Sequence, residues 1–264
     1  MTGPALLSVQ DLELAFGEVR VLEQVSIDIE RGAVFGLIGP NGAGKTSLFN
    51  CISGLYPYDR GEIVFDGHSL RGLRPDALAA LGIARSFQHP ALFTGLTVLD
   101  QILVAIEARG TDARRWFGVL PGPGTRRREA QSLREATELI DALGLASWAD
   151  LAVGRLSLAQ RRRVEIARAL AMRPRLLLLD EPAAGLDEPA QRDLARLLLD
   201  ARERTGLTIL LIDHRIGWVR ALCDRLAALH LGRVIACGET DAVCADPAVV
   251  QAYLGPVDDT VPLH

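Results

Sequence analysis

The sequence lacks the features that define several common protein classes. Its four cysteines, Cys51, Cys223, Cys237 and Cys244, stand singly with no CxxC pair. Neither a zinc site nor a disulfide framework is therefore expected. Buried thiols in a reducing compartment fit this pattern better.

The sequence also lacks an obvious membrane segment or a basic excess. The N-terminus MTGPALLSVQDLELAFG has no basic region followed by an apolar block, so it does not resemble a signal peptide. The apolar runs, such as LLLL at 176–179, are far shorter than the roughly 20 residues that a bilayer span needs. The net charge of −4 argues against a dedicated nucleic-acid binder. We expect a cytoplasmic protein that docks on a membrane partner and has no nucleic-acid partner.

What the chain does contain is the pattern of an α/β protein. Its 264 residues suffice for one large domain or two small ones. LLSVQDLELAF and VLEQVSIDIERG alternate apolar and polar residues, which predicts antiparallel strands. AVFGLIG, RLLLLDE and LTILLIDH are continuous apolar runs, typical of strands buried on both faces of a mixed or parallel sheet. Helical spacing follows Lys45 and returns in PAQRDLARLLLDARER.

A helical region is predicted between about residues 90 and 156. Thr97 can cap a helix through VLDQILVAIEAR. PGPG at 121–124 predicts a loop, and TRRREAQSLREATELIDALGLA then resumes as an amphipathic helix. The face of this helix expected to be buried carries Leu133, Ala136, Ile140 and Leu143.

A phosphate-binding motif lies between a predicted strand and a predicted helix. GPNGAGKT, Gly39–Thr46, fits G-x-x-x-x-G-K-[ST] in the context that supports the motif. Its glycines let successive N–H groups form an anion nest, and the helix N-terminus adds its dipole. Lys45 is expected to reach the β- and γ-phosphates and Thr46 to bind Mg²⁺. The cofactors are thus predicted to be ATP and Mg²⁺. The predicted nucleotide-binding set is Gly39, Pro40, Asn41, Gly42, Ala43, Gly44, Lys45, Thr46 and Ser47.

Further candidate groups follow the other buried strands. LLLLDEP supplies Asp180, which can bind Mg²⁺, and Glu181, which can polarise a water for attack on the γ-phosphate. An acidic turn at a strand end is the alternative, which the following PAAGLD makes less favourable. His214 is expected to contact the γ-phosphate and position the water, and Gln88 to reach the metal through its amide oxygen. Phe16 is either a platform for adenine or an ordinary core aromatic.

Taken together, these motifs resemble ATP-binding cassette transporter subunits over about residues 6–254. RRRVEIARALAMRPRLLLLDEPAAGL, LTILLIDH, VVQAYLG and the long insert resemble in particular the ATP-binding subunits of high-affinity branched-chain amino acid importers. The implied fold is a P-loop NTPase α/β core with an N-terminal antiparallel β-subdomain and an inserted helical subdomain. The core would span about 6–88 and 161–240, the helical subdomain about 89–160, and a loose tail 255–264.

The resemblance also implies roles and partners. Phe16 would stack on adenine, Gln88 would sense the metal and couple to a permease, Glu181 would be the catalytic base, and Asp187 would be an inter-subunit loop aspartate. Two cassettes, identical or paralogous, would close head-to-tail around ATP. The helical insert would dock on transmembrane permease subunits at the inner face of the membrane. An external solute-binding protein is the further expected partner.

The signature segment RLSLAQ departs from the usual LSGGQ of this family. Ser157 and Gln160 match a capping box, whose helix N-terminus would face a partner's γ-phosphate. Leu158 and Ala159 replace the central positions. We expect the Ala159 methyl group to crowd that phosphate, so that Ala159→Gly tightens closure modestly.

A second departure surrounds the histidine. Asp213 and Arg215 stand where Glu and Asp are commoner in the family, which bears on the turnover rate.

Two alternatives remain open at this point. One is the ATPase of an envelope lipid or lipopolysaccharide exporter, against which the long 105–130 insert favours the importer. The other is a non-transport cassette, such as a DNA-repair or translation protein or a nucleotide-sensing module. Glu181 argues against a module without turnover, and no fused cassette or long coiled coil is visible.

Overall fold

A computed structural model describes residues 5–86, 92–109 and 123–254. Gln88 and the predicted tail 255–264 lie outside these residues. The predicted boundary between core and helical subdomain at residues 88–89 also lies outside them, so the subdomain limits stay a prediction.

An antiparallel sheet carries the N-terminal part of the chain. Its strands run in the order β2–β1–β4–β5. Side chains along β1 alternate between more and less buried, as the sequence predicts for a sheet with one covered face, except at Leu6–Leu7 and Gln10–Asp11. The bounds are β1 Ala5–Phe16, β2 Val19–Glu30, β4 Arg60–Phe65 and β5 His68–Ser69.

A mixed sheet forms the centre of the fold, in the order β10–β9–β3–β8–β7–β6. Neighbours from β9 to β6 are parallel, and β10 is antiparallel at one edge. Every residue of β3, β7 and β8 is buried, which confirms the prediction from their apolar runs. The bounds are β3 Val34–Ile38, β6 Ile83–Ser86, β7 Leu176–Asp180, β8 Thr208–Ile212, β9 Arg225–His230 and β10 Arg233–Glu239.

Helices surround and extend this sheet. Those after Lys45, Thr97 and Ser157, and the one in PAQRDLARLLLDARER, are confirmed. The bounds are α1 Lys45–Ile52, α2 Pro75–Leu81, α3 Val98–Arg109, α4 Pro123–Ala142, α5 Leu158–Ala171, α6 Glu188–Thr205, α7 Ile216–Leu222, α8 Thr240–Cys244 and α9 Pro247–Leu254. The sequence predicted α1, α3, α4, α5 and α6 among these helices.

The helical region has its own apolar cluster, built by α3, α4 and α5. At the start of α3, the N–H of Asp100 donates to Thr97 Oγ1 at 3.1 Å, which confirms the predicted cap. The predicted loop at 121–124 is wrong at its end, because α4 begins at Pro123 and proline suits a first helical turn. The predicted buried face of α4 is wrong at Leu133, which is 47% exposed. Ser132 is buried instead.

Helix α5 lies between the two apolar regions. Val164 and Ala167 join the helical cluster, whereas Ile166 joins the cluster around the mixed sheet. Arg162 and Glu165 form a buried ion pair with an N–O distance of 3.0 Å. The helix is therefore packed on most of its circumference, unlike an ordinary surface helix.

Two further sequence expectations concern membranes and thiols. No helix within the described residues is long and apolar enough to cross a membrane. Cys51 and Cys223 are buried, and burial raises the pKa of the Cys51 thiol to about 12. Cys237 is exposed, so the expectation of buried thiols is wrong at that position.

Candidate nucleotide-binding site

The parallel strands bring the predicted phosphate-binding groups to one edge of the mixed sheet. Gly39 follows β3, Asp180 ends β7, and Asp213 follows β8. These three strands are adjacent and parallel, so their carboxyl ends lie at the same edge. Ligands of open α/β sheets bind at this kind of edge.

Helix α1, which follows the loop after β3, has no side-chain cap at its N-terminus. The N-cap residue is Gly44, with φ 101°, and no side chain bonds the helix N-terminus. A Cβ at Gly44 would lie 2.8 Å from the carbonyl oxygen of Val21, so the position requires glycine. The first-turn N–H groups, which have no acceptor within the helix, remain as donors for an anion.

The other loop residues take different degrees of exposure. The N–H of Ala43 donates to the carbonyl of Pro40 at 3.2 Å, which closes a turn in the loop. Asn41, Gly42 and Thr46 are exposed, Pro40 and Ser47 are half-buried, and Gly39 and Ala43 are buried. The exposed members are accessible to a ligand.

Lys45 is the only lysine in the sequence and is 8% exposed. Its Nζ donates to the carbonyls of Gly39 at 2.7 Å and Pro40 at 2.9 Å. Burial lowers the pKa of Lys45, while the charges of Glu181 and Asp180 act in the opposite direction. An ammonium group has three donors, so Lys45 can contact a phosphate oxygen while it keeps both loop carbonyls.

Asp180 is buried at the end of β7 and pairs with an arginine that the sequence reasoning missed. Asp180 Oδ2 lies 3.3 Å from Arg85 Nη2, on the neighbouring strand β6. Arg85 also donates to Asn50 Oδ1 and Ser53 Oγ, each at 2.7 Å. Burial lowers the pKa of Arg85, and the adjacent Asp180 opposes that change. The sequence offered no signal for this pair, because the four residues of β6 are too few to show a strand pattern.

Glu181 and His214, both candidates from the sequence, lie next to each other. Glu181 Oε1 lies 3.4 Å from His214 Nδ1. The backbone of Glu181 has φ 45°, and its N–H donates to the carbonyl of Ile212 at 2.9 Å. This left-handed conformation turns the chain sharply after β7 and fixes the base of the Glu181 side chain against β8.

The two unusual residues beside His214 form an ion pair. Asp213 is fully buried, and its Oδ1 accepts from both the N–H and Nε of Arg215 at 3.0 Å. Arg215 Nη2 donates to Asp213 Oδ2 at 2.7 Å, and Nη1 donates to the carbonyl of Ala183. Because Ala183 follows Glu181 closely, this pair ties the His214 turn to the segment after the proposed base.

The signature helix α5 begins with the predicted capping box. The N–H of Gln160 donates to Ser157 Oγ at 3.3 Å, and the N–H of Ser157 donates to Gln160 Oε1 at 2.8 Å. Ala159 is half-buried and packs against the apolar cluster around the mixed sheet, and the expected crowding of a partner's phosphate by its methyl group stays a prediction. Leu158, which is 41% exposed, is the apolar side chain displayed at this helix end.

The remaining predicted residues lie as follows. Phe16 is 51% exposed at the end of β1, which excludes the core-aromatic alternative. Its ring contacts Tyr56 edge-to-face with centroids 5.4 Å apart. Asp187 caps α6 by accepting from the N–H of Ala190 at 2.9 Å. Gln88 lies outside the described residues.

The donor set fits magnesium rather than a metal held wholly by protein. Thr46 and Asp180 offer hard oxygen ligands, the type that Mg²⁺ prefers. Within the described residues, no group of three or more His, Cys, Asp or Glu side chains could hold a metal. Mg²⁺ commonly uses one or two protein oxygens together with substrate phosphates and water, so these observations are compatible.

Comparisons with known proteins decide the family. A family model described as "ABC transporter" matches residues 22–184, which is more than half of the chain. The chain belongs to the ABC transporter family. A second model, for the branched-chain amino acid ATP-binding cassette transporter, matches residues 233–255. Membership of this family, together with the phosphate-binding edge described above, makes the chain an ATPase.

Individual ABC relatives match along nearly the whole chain. BraF of Pseudomonas aeruginosa, a high-affinity branched-chain amino acid transport ATP-binding protein, is 36% identical over 95% of this chain and 98% of its own length. LptB of Acidithiobacillus ferridurans, a lipopolysaccharide export system ATP-binding protein, is also 36% identical, over 95% and 97%.

Solved structures of cassettes confirm the ABC ATPase fold. The ADP conformation of MJ1267, an ATP-binding cassette of an ABC transporter, has a TM-score of 0.83 at 31% identity, covering 96% of this chain and all of that one. The dimeric cassette MJ0796, bound to ADP and Pi, has a TM-score of 0.72 at 26% identity, covering 89% and 98%.

Proposed function

We propose that this chain is the ATP-hydrolysing subunit of an importer of branched-chain amino acids or related small solutes. The observation that carries the solute class is the match of residues 233–255 to the branched-chain cassette model, beyond the general ABC match. The identity to BraF along almost both chains supports the same assignment. The subunit would lie at the inner face of the membrane and work with permease subunits and an external solute-binding protein.

The phosphates of ATP would be held by the N-terminus of α1 and by Lys45. The glycine at the N-cap leaves the first-turn N–H groups open, and Lys45 already lies against the loop carbonyls. Thr46, Asp180 and Gln88 would hold Mg²⁺, which supplies positive charge that offsets the charge developing on the phosphates. Phe16 would stack on the adenine.

Glu181 would act as the general base. Its carboxylate takes a proton from water as the water oxygen attacks the γ-phosphorus, and the bond from that phosphorus to the β–γ bridging oxygen breaks. The products are ADP and inorganic phosphate. His214, 3.4 Å from Glu181, is placed to orient the same water, and the pair of Asp213 and Arg215 holds its turn in position.

A second cassette would complete the site. The N-terminus of α5 would meet the γ-phosphate bound by the partner, with N–H donors that the Ser157 capping box leaves for it. Asp187 would lie in the interface between the cassettes. The dimer of MJ0796 supports such an assembly, because that related cassette forms one.

Trapping the closed state tests this proposal. In Glu181→Gln, loss of the general base should lower kcat about 100-fold or more while ATP still binds. Size-exclusion chromatography with light scattering should then show a dimer only when ATP and Mg²⁺ are present. Glu188→Gln is the matched control, because Glu188 is an exposed first-turn residue of α6. A Glu181→Gln chain that hydrolyses ATP at the wild-type rate would contradict the assigned base.

The single lysine provides an independent test of ATP binding. An amine-reactive reagent has only Lys45 and the N-terminal amine to modify in this chain. ATP should protect Lys45 and leave the N-terminal amine reactive, as peptide mass spectrometry can measure. If Glu181→Gln stays monomeric while ATP protects Lys45, the chain binds ATP but does not dimerise with a second copy of itself. That result would point to a partner cassette of different sequence.

An exporter ATPase is the second candidate, because LptB matches at the same identity as BraF. Co-purification separates the two candidates. Affinity capture of the tagged chain from membranes should recover an importer-type permease pair. Recovery of lipid-exporter permeases instead would overturn the assigned solute class while leaving the ATPase assignment intact.

A further inference from the structure

The last described helix contacts the first residue of the phosphate-binding loop. The N–H of Gly39 donates to the hydroxyl oxygen of Tyr253 at 2.7 Å, although 214 positions separate the two residues. Tyr253 lies in α9, at the end of the segment that matches the branched-chain cassette model. The contact therefore connects the C-terminal segment directly to the nucleotide site.

Local sequence explains how Tyr253 reaches this position. Asp246 Oδ1 accepts from the N–H of Ala248 at 2.8 Å, and Pro247 opens the helix, so the start of α9 is set by a cap and a proline. Val249 is buried in the apolar cluster around the mixed sheet. Tyr253 stands four residues later, on the same face of the helix. Docking of Val249 thus brings the Tyr253 hydroxyl to the sheet edge.

Gly39 is held tightly on all sides. Its φ of 146° favours glycine, and a Cβ there would lie 2.2 Å from the carbonyl oxygen of Leu229. Its carbonyl accepts from Lys45 Nζ at 2.7 Å, while its N–H donates to Tyr253. One residue therefore joins the tyrosine hydroxyl to the ammonium group that would bind the phosphates.

The surroundings keep the Tyr253 hydroxyl protonated. Burial raises its pKa, and the charge of the nearby Asp213 acts in the same direction, against the bond from Gly39. Asp213 is also the residue that pairs with Arg215 beside His214.

We infer that Tyr253 is a positioning residue for ATP, which acts through Gly39 on the loop and on Lys45. The hydroxyl restrains the first peptide of the loop, so that Lys45 and the α1 N–H groups are held in place before the nucleotide arrives. The inference rests on the proposed binding of ATP at this loop. It makes the C-terminal helix α9 a part of the nucleotide site.

Removal of one hydroxyl group tests this role. Tyr253→Phe in the full chain keeps the ring and its packing but leaves the N–H of Gly39 without its acceptor. The Kd and KM for ATP should rise about three- to tenfold, as expected for loss of one partly buried hydrogen bond, with kcat changed by less than about twofold. Exchange of the Gly39 amide hydrogen, followed by mass spectrometry without nucleotide, should become faster.

The control is Tyr58→Phe, which removes a hydroxyl from a buried tyrosine of the apolar cluster beneath the antiparallel sheet. It should change neither the ATP constants nor the exchange at Gly39. An unchanged Kd and KM for ATP in Tyr253→Phe would overturn the inference, even with faster exchange, because the bond would then be structural only. If the wild-type chain itself did not bind ATP, the proposed function would fail first, which distinguishes the two failures.

Discussion

The N-termini of α1 and α5 both carry donors assigned to phosphate, yet their first turns are constructed in opposite ways. Helix α1 follows Gly44, with no side-chain cap, and its loop is held instead by Lys45. Helix α5 follows Ser157, whose hydroxyl accepts the N–H of Gln160. The α1 end leaves all its first-turn donors for the chain's own nucleotide, whereas the α5 end uses one of them in its own side-chain cap. A surface that must meet a nucleotide on another chain gains from such preorganisation.

Lys45→Ala should have the largest effect, and only at the α1 end. Loss of a charged hydrogen bond worth about 3 kcal/mol should weaken ATP binding about 100-fold. Isothermal titration calorimetry measures the Kd directly. The same measurement on Ser157→Ala serves as the control, since that residue lies at the other helix end. A Kd within about threefold of wild type would contradict the role given to Lys45.

A negative charge at the exposed end of α5 should stabilise the folded chain but weaken its ATP-dependent dimerisation. Leu158→Glu places a carboxylate at the helix N-terminus, which should stabilise the chain by about 0.5 kcal/mol. The same charge should repel the partner's phosphates and weaken ATP-dependent dimerisation of Glu181→Gln about tenfold. Light scattering at several concentrations gives the dimer Kd. Leu158→Gln is the neutral control, and equal weakening by both changes would count against electrostatic repulsion.

Removal of the α5 cap should cost stability without altering ATP binding by the same chain. Ser157→Ala should lower the free energy of unfolding by about 1 kcal/mol, because the N–H of Gln160 loses its acceptor. Urea unfolding measures the change. Ser157→Asp should restore most of the stability, since aspartate also caps helices. No loss of stability would show that the capping box is redundant.

Ala159→Gly should not tighten closure, contrary to the expectation from sequence. The Ala159 side chain is half-buried and packs against the cluster around the mixed sheet, so we expect its removal mainly to lower helix propensity, by at most about 1 kcal/mol at this N-terminal position. The dimer Kd in the Glu181→Gln background should stay within about twofold. Tighter dimerisation would instead support crowding of the partner's γ-phosphate by the Ala159 methyl group.

The pH dependence of stability should reveal the buried ammonium at the α1 end. The folded-state pKa of Lys45 lies below its ordinary value of 10.5 because of burial. Between those two values Lys45 binds fewer protons in the folded chain than in the unfolded chain, so its contribution to stability rises with pH. Below that window the cost of burying the charge is fully present. The free energy of unfolding in urea should rise in the wild type relative to Lys45→Met as the pH approaches 10.5 from below, and no other lysine contributes to the difference.

Local patterns predicted the elements with strong periodicity and clear end signals. The buried strands β3, β7 and β8 appear as apolar runs, and the Ser157 capping box is encoded within four residues. Short elements such as β6 and α7 were not predicted. A strand of four residues and a helix of seven carry too few positions to show a period. Their place depends on neighbours that lie far away in the chain.

Side-chain contacts between distant segments were also beyond the sequence. Arg85 pairs with Asp180 because β6 happens to be the neighbour of β7. Leu133 and Ser132 differ by one position on α4, and only the direction from which α3 and α5 approach decides which of them is buried. The helical period predicts that one face of the helix is buried. The rotation of the helix about its own axis is determined by packing against its neighbours.

The sequence alone determined the phosphate-binding loop, the acidic strand end and the capped signature helix, because each depends on residues that are neighbours along the chain. Tertiary structure alone decided that Arg215 reaches the carbonyl of Ala183, that Ala159 packs against the cluster around the mixed sheet, and that Tyr253 contacts Gly39. The physical reason is that these contacts exist only once the sheet order and helix packing have brought distant backbones together. Local chemistry specifies the groups, and packing of the whole domain specifies which groups meet.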